Sequence, residues 1–272
     1  MSSNSLVYRY IFHGTRLNID SMHCQSLSKL GLNNPLIWPV FKGGVVLSSG
    51  TTTCLKVSRV TEQDVIYFKR YRYTKNIWAF FLRRSKAANE LINYQRFKKL
   101  QIPTLDVIAL YEQRVLGRLN TACIVSQGLP NTLQLDDFYT DVLLKMPKKM
   151  RQETFNSVKN QLFSQLKKAH NAGIFHLDLK WRNILIQQNG ERYTPIWIDC
   201  PRGTQRRYFN YRLKVADLSG VSRKALVFFS PPQLYRMLCE YLGKDANKAE
   251  ARQLFADISK HLSRRPPKGF LD

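Results

Sequence analysis

The sequence predicts an α+β protein, with a β-rich first half carrying one long helix and a mainly helical second half. Three observations predict it. Short β-prone runs separated by turn residues fill 44–71. An apolar period of three to four residues marks 86–100 and returns, longer, at 151–170. Two further helical patterns, 233–243 and 247–262, close the chain.

The strands come first. Val45-Val46-Leu47, Cys54-Leu55-Lys56-Val57 and Val65-Ile66-Tyr67-Phe68-Lys69 are the β runs, and Ser48-Ser49-Gly50 and Glu62-Gln63-Asp64 supply the turns. In the first helix Ala87, Leu91, Tyr94 and Phe97 recur on one side. Ile102-Pro103 is expected to end it, because proline disfavours helix at the residue before it. Ala122-Cys123-Ile124-Val125 reads as a further strand, followed by a turn at 128–130. In 151–170, Phe155, Val158, Leu162, Phe163, Leu166 and Ala169 form an apolar face, with Lys159, Gln165 and Lys168 placed elsewhere. Residues 1–40 show no clear pattern. The division drawn from this is an N-terminal extension at 1–40, with membership of the first lobe as the alternative, a first lobe at 41–127 and a second at 128–272.

Composition bounds the function. With 272 residues and 44% hydrophobic content the chain can bury a sizeable core, which excludes a disordered chain. Lys and Arg total 43 against 19 Asp and Glu, a net charge of +24. Such a field favours polyanions: nucleic acid, an anionic membrane surface or a phosphorylated glycolipid. No nucleic-acid-binding motif accompanies the charge, so nucleic acid is the least supported. Five scattered cysteines without a CxxC pair read as free thiols. No apolar run reaches a spanning length and no signal peptide is visible, so a soluble or peripherally bound protein is expected.

The densest chemistry is Phe175-His176-Leu177-Asp178-Leu179-Lys180-Trp181-Arg182-Asn183-Ile184-Leu185-Ile186. An Asp, a Lys two residues on and an Asn five residues on, entering an apolar strand, is the layout of a kinase catalytic loop. Phosphoryl transfer needs positioning and charge neutralisation rather than covalent help. Asp178 would take the acceptor proton, Lys180 would neutralise charge on the moving phosphoryl, and Asn183 would hold Mg²⁺. Ile196-Trp197-Ile198-Asp199 follows, a β run ending in a carboxylate sixteen residues after Asn183. Asp199 suits a second Mg²⁺ ligand, since that ion takes oxygen donors and bridges phosphates. Upstream, Lys69 ends a β run and Glu90 lies in the next helix, an order that fits a lysine aimed at nucleotide phosphates. Ser49, Gly50 and Thr51 fit a phosphate-covering loop, although an ordinary hairpin fits the segment equally well.

These residues resemble the protein-kinase-like superfamily and, more narrowly, the bacterial lipopolysaccharide core kinases that phosphorylate heptose or Kdo. The resemblance lies in YFKRYRY (67–73), SKAANELINYQRFKKLQIP (85–103), HLDLKWRNILI (176–186) and WIDCPRG (197–203), and with their spacing covers 41–243. It implies a bilobal kinase-like fold, ATP and Mg²⁺ as cofactors, and a cytoplasmic site at the inner membrane. By position, Lys69 and Glu90 match the family's ion pair, Asp178 its catalytic aspartate, and Asn183 and Asp199 its metal ligands. The departures are Leu177 where arginine is usual, Cys200-Pro201 where Phe-Gly is usual, and the large Tyr67 two residues before Lys69. Asp217-Leu218-Ser219-Gly220 resembles the helix start whose aspartate buttresses the catalytic loop. That aspartate would then follow Asp199 by only eighteen positions, too few for a peptide-binding platform.

The basic residues fall in two clusters. Lys69-Arg70-Tyr71-Arg72-Tyr73-Thr74-Lys75, with Trp78, Phe80 and Phe81, suits either a membrane interface or packing under the helix. Arg202, Arg206 and Arg207 beyond Asp199 fit a densely phosphorylated acceptor. The reading is an ATP-dependent kinase for a sugar hydroxyl of the lipopolysaccharide core, in peripheral contact with an anionic membrane. A kinase for protein or another small molecule, and an inactive kinase-like binding module, are the alternatives.

Overall fold

The computed structural model describes residues 13–50, 52–59, 64–73, 80–208, 210–243 and 247–264. The chain divides into two compact units, Met1–Gln95 with Leu105–Pro130, and Arg96–Thr104 with Asn131–Asp272.

The first unit is built on a six-stranded antiparallel sheet in the order β1-β5-β6-β4-β3-β2. Its strands are β1 (Gly14–Ile19), β2 (Val45–Ser48), β3 (Thr52–Ser58), β4 (Val65–Arg72), β5 (Val107–Val115) and β6 (Arg118–Gln127). Alternation along β4 sorts the two faces. Ile66 and Phe68 face one way and are fully buried, packed with Leu55, Val57, Leu27, Leu32, Trp38 and Phe41. Trp38 fixes the covering segment, which includes the short helix α1 (Cys24–Lys29): its indole stacks on Tyr111 at 5.5 Å and its Nε1 donates to Leu32 O at 2.9 Å. The opposite face, with Tyr71, Leu110, Leu119, Ala122 and Ile124, packs against Ala87, Ala88 and Leu91 of helix α2 (Lys86–Lys99).

Helix α2 begins at a serine cap. Ser85 Oγ accepts from the Ala88 N–H at 2.9 Å, and Tyr73 Oη accepts from the Lys86 N–H at 2.9 Å. Its end differs from the proline stop expected from the sequence. Gln101 adopts φ 55°, its N–H donates to Lys98 O and the Ile102 N–H donates to Phe97 O, both at 2.9 Å. That is a Schellman closure with glutamine in the left-handed position, completed before Pro103. The aromatic-basic stretch is divided. Tyr71 and Tyr73 are core residues, and Phe80 packs edge-on to Tyr73 at 4.8 Å, while Thr74, Lys75 and Trp78 lie outside the described residues.

The second unit carries the helices α3 (Leu135–Asp137), α4 (Lys148–Asn171), α5 (Tyr211–Phe228), α6 (Pro231–Leu242) and α7 (Lys248–Ser263). A three-stranded sheet, β10-β9-β7, and a two-stranded pair, β11-β8, hold its loops. The strands are β7 (Thr132–Gln134), β8 (Ile174–Phe175), β9 (Ile184–Asn189), β10 (Arg192–Trp197) and β11 (Thr204–Gln205). One residue of α4 departs from the amphipathic reading. Gln165 is buried, and its Nε2 donates to Pro195 O of β10, the edge strand of its sheet, at 2.9 Å. The helix bearing Asp217 also begins earlier than expected. Asp217 sits nearly two turns inside α5, and only residues 200–210 separate Asp199 from the helix.

Candidate active site

In the first unit β4 presents Lys69 and Tyr71 on one face, and α2 presents Glu90 and Tyr94 one turn apart. Lys69 Nζ lies 3.1 and 3.2 Å from the two carboxylate oxygens of Glu90. Glu90 is 2% exposed, so this pair is inside the fold, where an ion pair is held by geometry and by further hydrogen bonds rather than by charge alone. Two hydroxyls supply such bonds. Tyr71 Oη donates to Glu90 Oε2 at 2.5 Å and Tyr94 Oη donates to Glu90 Oε1 at 2.8 Å. The Lys69 ammonium also lies 5.5 Å from the centre of the Tyr71 ring. Neither tyrosine is singled out for this by sequence reasoning, though the Lys-x-Tyr and Glu-x-x-x-Tyr spacings were the available signal.

Ser49 and Gly50 lie exposed in the turn joining β2 and β3, with Gly50 at φ 147° and open space around its absent Cβ; Thr51 lies outside the described residues.

In the second unit the loop 176–183 runs from β8 into β9 and is fastened from below. Asp217, 1% exposed, accepts from the His176 N–H at 2.9 Å and the Leu177 N–H at 2.6 Å, and its Oδ2 lies 3.3 Å from His170 Nε2. His170 Nδ1 in turn meets Tyr241 Oη at 2.8 Å. These bonds hold Leu177 at φ 60°, a conformation that costs a bulky residue roughly 1–3 kcal/mol and persists only where neighbours impose it. Glycine permits the approach of the helix. A Cβ on Gly220 would lie 2.8 Å from Leu179 O, so α5 and the loop backbone meet directly. Trp181 Nε1 adds a bond to Val221 O at 2.9 Å.

His176 is fully buried, with its Nε2 3.0 Å from Ile198 O and its Nδ1 3.3 Å from the Asp178 N–H. Nε2–H therefore donates and Nδ1 accepts, which requires the neutral ring. Burial lowers its pKa from 6.5 and keeps it neutral, against the opposing pull of Asp217. Its ring also stacks on Phe97 at 6.0 Å.

The side chains singled out in the sequence stand on this frame. Lys180 Nζ is 2.6 Å from Asp178 Oδ1, with both side chains partly exposed. Asn183 Nδ2 donates to Asp178 O at 2.8 Å and lies 3.4 Å from Oδ2. With its amide nitrogen so engaged, Asn183 Oδ1 is the atom left to act as a ligand. Trp197 pairs with Ile184 in the β9–β10 ladder, and the Ile198 N–H donates to Asn183 O at 3.0 Å. Asp199, at φ 58°, thus follows one residue beyond the partner of Asn183.

Arg202, Arg206 and Arg207 are exposed in the segment after Asp199. That segment is pinned rather than loose. Thr204 and Gln205 pair with Phe175 and Ile174, and the Arg206 N–H donates to Gly173 O at 2.8 Å.

Two comparisons bear on this geometry. The model of the lipopolysaccharide kinase (Kdo/WaaP) family matches residues 48–247, most of the chain and all the residues above from Ser49 to Arg207. The protein belongs to this family. No curated protein sequence matches the chain. A solved structure described as WaaP in complex with acyl carrier protein aligns with a TM-score of 0.68, covering 92% of this chain and 98% of that one at 16% identity. At that identity the likeness is one of fold, and the fold is kinase-like. Family membership makes the protein an ATP-dependent phosphotransferase.

The donor set fits magnesium. Among the described residues no group of three or more His, Cys, Asp or Glu side chains converges as a metal cage. Mg²⁺ takes one or two protein oxygens and completes its shell with water and phosphate oxygens, which suits an amide and a carboxylate such as Asn183 and Asp199. Among the described residues no helix is long and apolar enough to cross a membrane.

Proposed function

We propose that this lipopolysaccharide kinase transfers the γ-phosphate of ATP to a sugar hydroxyl of the lipopolysaccharide inner core. The observation that carries the reading is the loop 176–183, in which Asp178 stands 2.6 Å from Lys180 and is tied through its carbonyl to Asn183, on a frame fixed by Asp217. In this reading Lys69, fixed by Glu90, contacts the nucleotide phosphates, and Ser49, Gly50 and Thr51 line the phosphate-covering turn. Asn183 and Asp199 would hold Mg²⁺, which would supply neutralisation of the phosphate charge. Asp178 accepts the proton of the acceptor hydroxyl as its oxygen bonds to phosphorus, the bond to the β-phosphate oxygen breaks, and ADP leaves. Lys180 pairs with Asp178 in the resting site and offsets charge on the moving group.

Two features favour a glycolipid over a peptide. The segment 200–210 is too short for a peptide platform, and Arg202, Arg206 and Arg207 are forks suited to phosphates near the accepting sugar. A net charge of +24 favours peripheral attachment at an anionic surface, where each nearby basic residue contributes about 1 kcal/mol. The test is to phosphorylate purified core oligosaccharide with ATP and Mg²⁺ and to map the new phosphate ester by phosphorus NMR. An ester on an inner-core heptose or Kdo is expected. Labelling confined to protein or to unrelated small molecules overturns the acceptor assignment.

A further inference from the structure

We propose that Tyr71 and Tyr94 are positioning residues for phosphoryl transfer, a two-hydroxyl clamp that sets Glu90 and, through it, the Lys69 ammonium. The inference rests on the proposed nucleotide role of Lys69 and deepens it.

Glu90 lies inside the fold. Its carboxylate is 2% exposed, and a buried carboxylate keeps its place by accepting well-aimed hydrogen bonds. Tyr94 stands at i+4 from Glu90 on the same helix face and bonds Oε1 at 2.8 Å. Tyr71 comes from the neighbouring strand and bonds Oε2 at 2.5 Å. One oxygen is thereby tied to α2 and the other to β4, the strand that also carries Lys69. Rotation of the carboxylate about its last torsion would break both bonds at once. Charge-assisted bonds of this length are about twice as strong as neutral ones, so the carboxylate plane is well fixed.

Tyr71 acts on both members of the pair. Its hydroxyl holds the carboxylate, and its ring centre is 5.5 Å from the Lys69 ammonium, within the range of a cation–π contact. Lys69 and Tyr71 are i and i+2 on β4 and point to the same face. The tyrosine is itself immobile at 2% exposure, packed in the core with Ala87, Ala88 and Leu91 of the glutamate helix. A lysine with four rotatable bonds is thus aimed by rigid rings rather than by a single flexible partner. The consequence is a Lys69–Glu90 pair formed by the fold alone, with no need of a separate activating event.

The test removes only hydroxyls. Tyr71→Phe, Tyr94→Phe and the double variant are prepared in the full chain, alone and in a Lys69→Met background. Binding of ATP with Mg²⁺ is measured by calorimetry, phosphate transfer to core oligosaccharide by steady-state kinetics, and Tm by thermal melting. Each single variant is expected to lower kcat/KM for ATP by roughly 10-fold, the size associated with losing one hydrogen bond to a buried charged group. In the Lys69→Met background the same substitutions are expected to change ATP binding less than 2-fold, because the clamp acts through the lysine. Full ATP affinity and activity in the double variant overturns the clamp and leaves the kinase reading intact. Equal losses with and without Lys69 assign the tyrosines a purely structural role and also overturn it. Failure of the unmodified chain to bind ATP overturns the nucleotide role of Lys69 itself, and the clamp with it.

Discussion

Replacing Gly220 by alanine separates helix propensity from the fit of the catalytic loop. Inside a helix, alanine is ordinarily better than glycine by about 1 kcal/mol. Gly220 has no left-handed φ that would oppose the change. The new Cβ, however, would sit 2.8 Å from Leu179 O and 3.2 Å from Leu179 C, backbone atoms of the loop between Asp178 and Lys180. Overpacking of this kind costs about 1–3 kcal/mol. The two effects leave a net loss of roughly 0–2 kcal/mol, a fall of up to about 8 °C in Tm for a chain of this size. Activity is the sharper readout, because the strain is relieved by moving Leu179 and its neighbours. A displacement of about 1 Å at reacting groups costs on the order of 100-fold in rate. Melting followed by circular dichroism and phosphate transfer to core oligosaccharide measure the two quantities. An alanine variant that is more stable and fully active would refute the claim that α5 and the loop backbone are in direct, rate-determining contact.

Asp217→Asn keeps the size but gives the His176 and Leu177 N–H groups a weaker acceptor; a loss of about 3 kcal/mol or more in unfolding free energy and near-complete loss of transfer are expected by denaturant titration and kinetics. His176 is held neutral below its ordinary 6.5, whereas the unfolded chain takes up a proton there, so folding stability should fall as pH drops below about 6.5, at up to ~1.4 kcal/mol per pH unit for one proton. His176→Gln should flatten that fall in melts taken between pH 5 and pH 7, both values chosen to bracket about 6.5. Ser85→Ala removes the cap of α2 and should lower stability by about 1 kcal/mol in urea unfolding. Lys180→Ala should lower kcat by roughly 100-fold or more with Tm nearly unchanged, since the lysine is partly exposed and its role is electrostatic.

Much of the second unit's loop is legible from the chain because its residues are set at fixed short spacings. Asp178, Lys180 and Asn183 belong to one continuous stretch, and the β9–β10 hairpin that follows sets Ile198, the residue before Asp199, beside the Asn183 carbonyl. Long-range fastenings leave weaker traces. Asp217 can be suspected as a buttress, but α5 extends back to Tyr211 through Arg212 and Lys214, a first turn whose Asn210 makes no side-chain cap bond. Gln165 reads as a surface residue until Pro195 of a distant strand claims its amide. The strands β1 and β5 pair with each other, yet β5 contains Glu112, Gln113 and Arg114, which blur its alternation, and β1 precedes a segment without any periodic pattern. Tyr71 and Tyr94 are visible only as core aromatics, because their hydroxyl partners are fixed by the meeting of a strand with a helix.

The most direct measurement is transfer of labelled γ-phosphate from ATP, with Mg²⁺, to purified lipopolysaccharide core acceptor by the native chain and by Asp178→Asn. Asparagine keeps the shape of the side chain and the backbone carbonyl that Asn183 holds, while removing the proton acceptor. Robust transfer by the native protein and a loss of roughly 1,000-fold in the variant, within the range of general-base contributions, are expected, with ATP binding retained. Transfer by the variant at the native rate would contradict the assignment of Asp178 as the residue that accepts the hydroxyl proton.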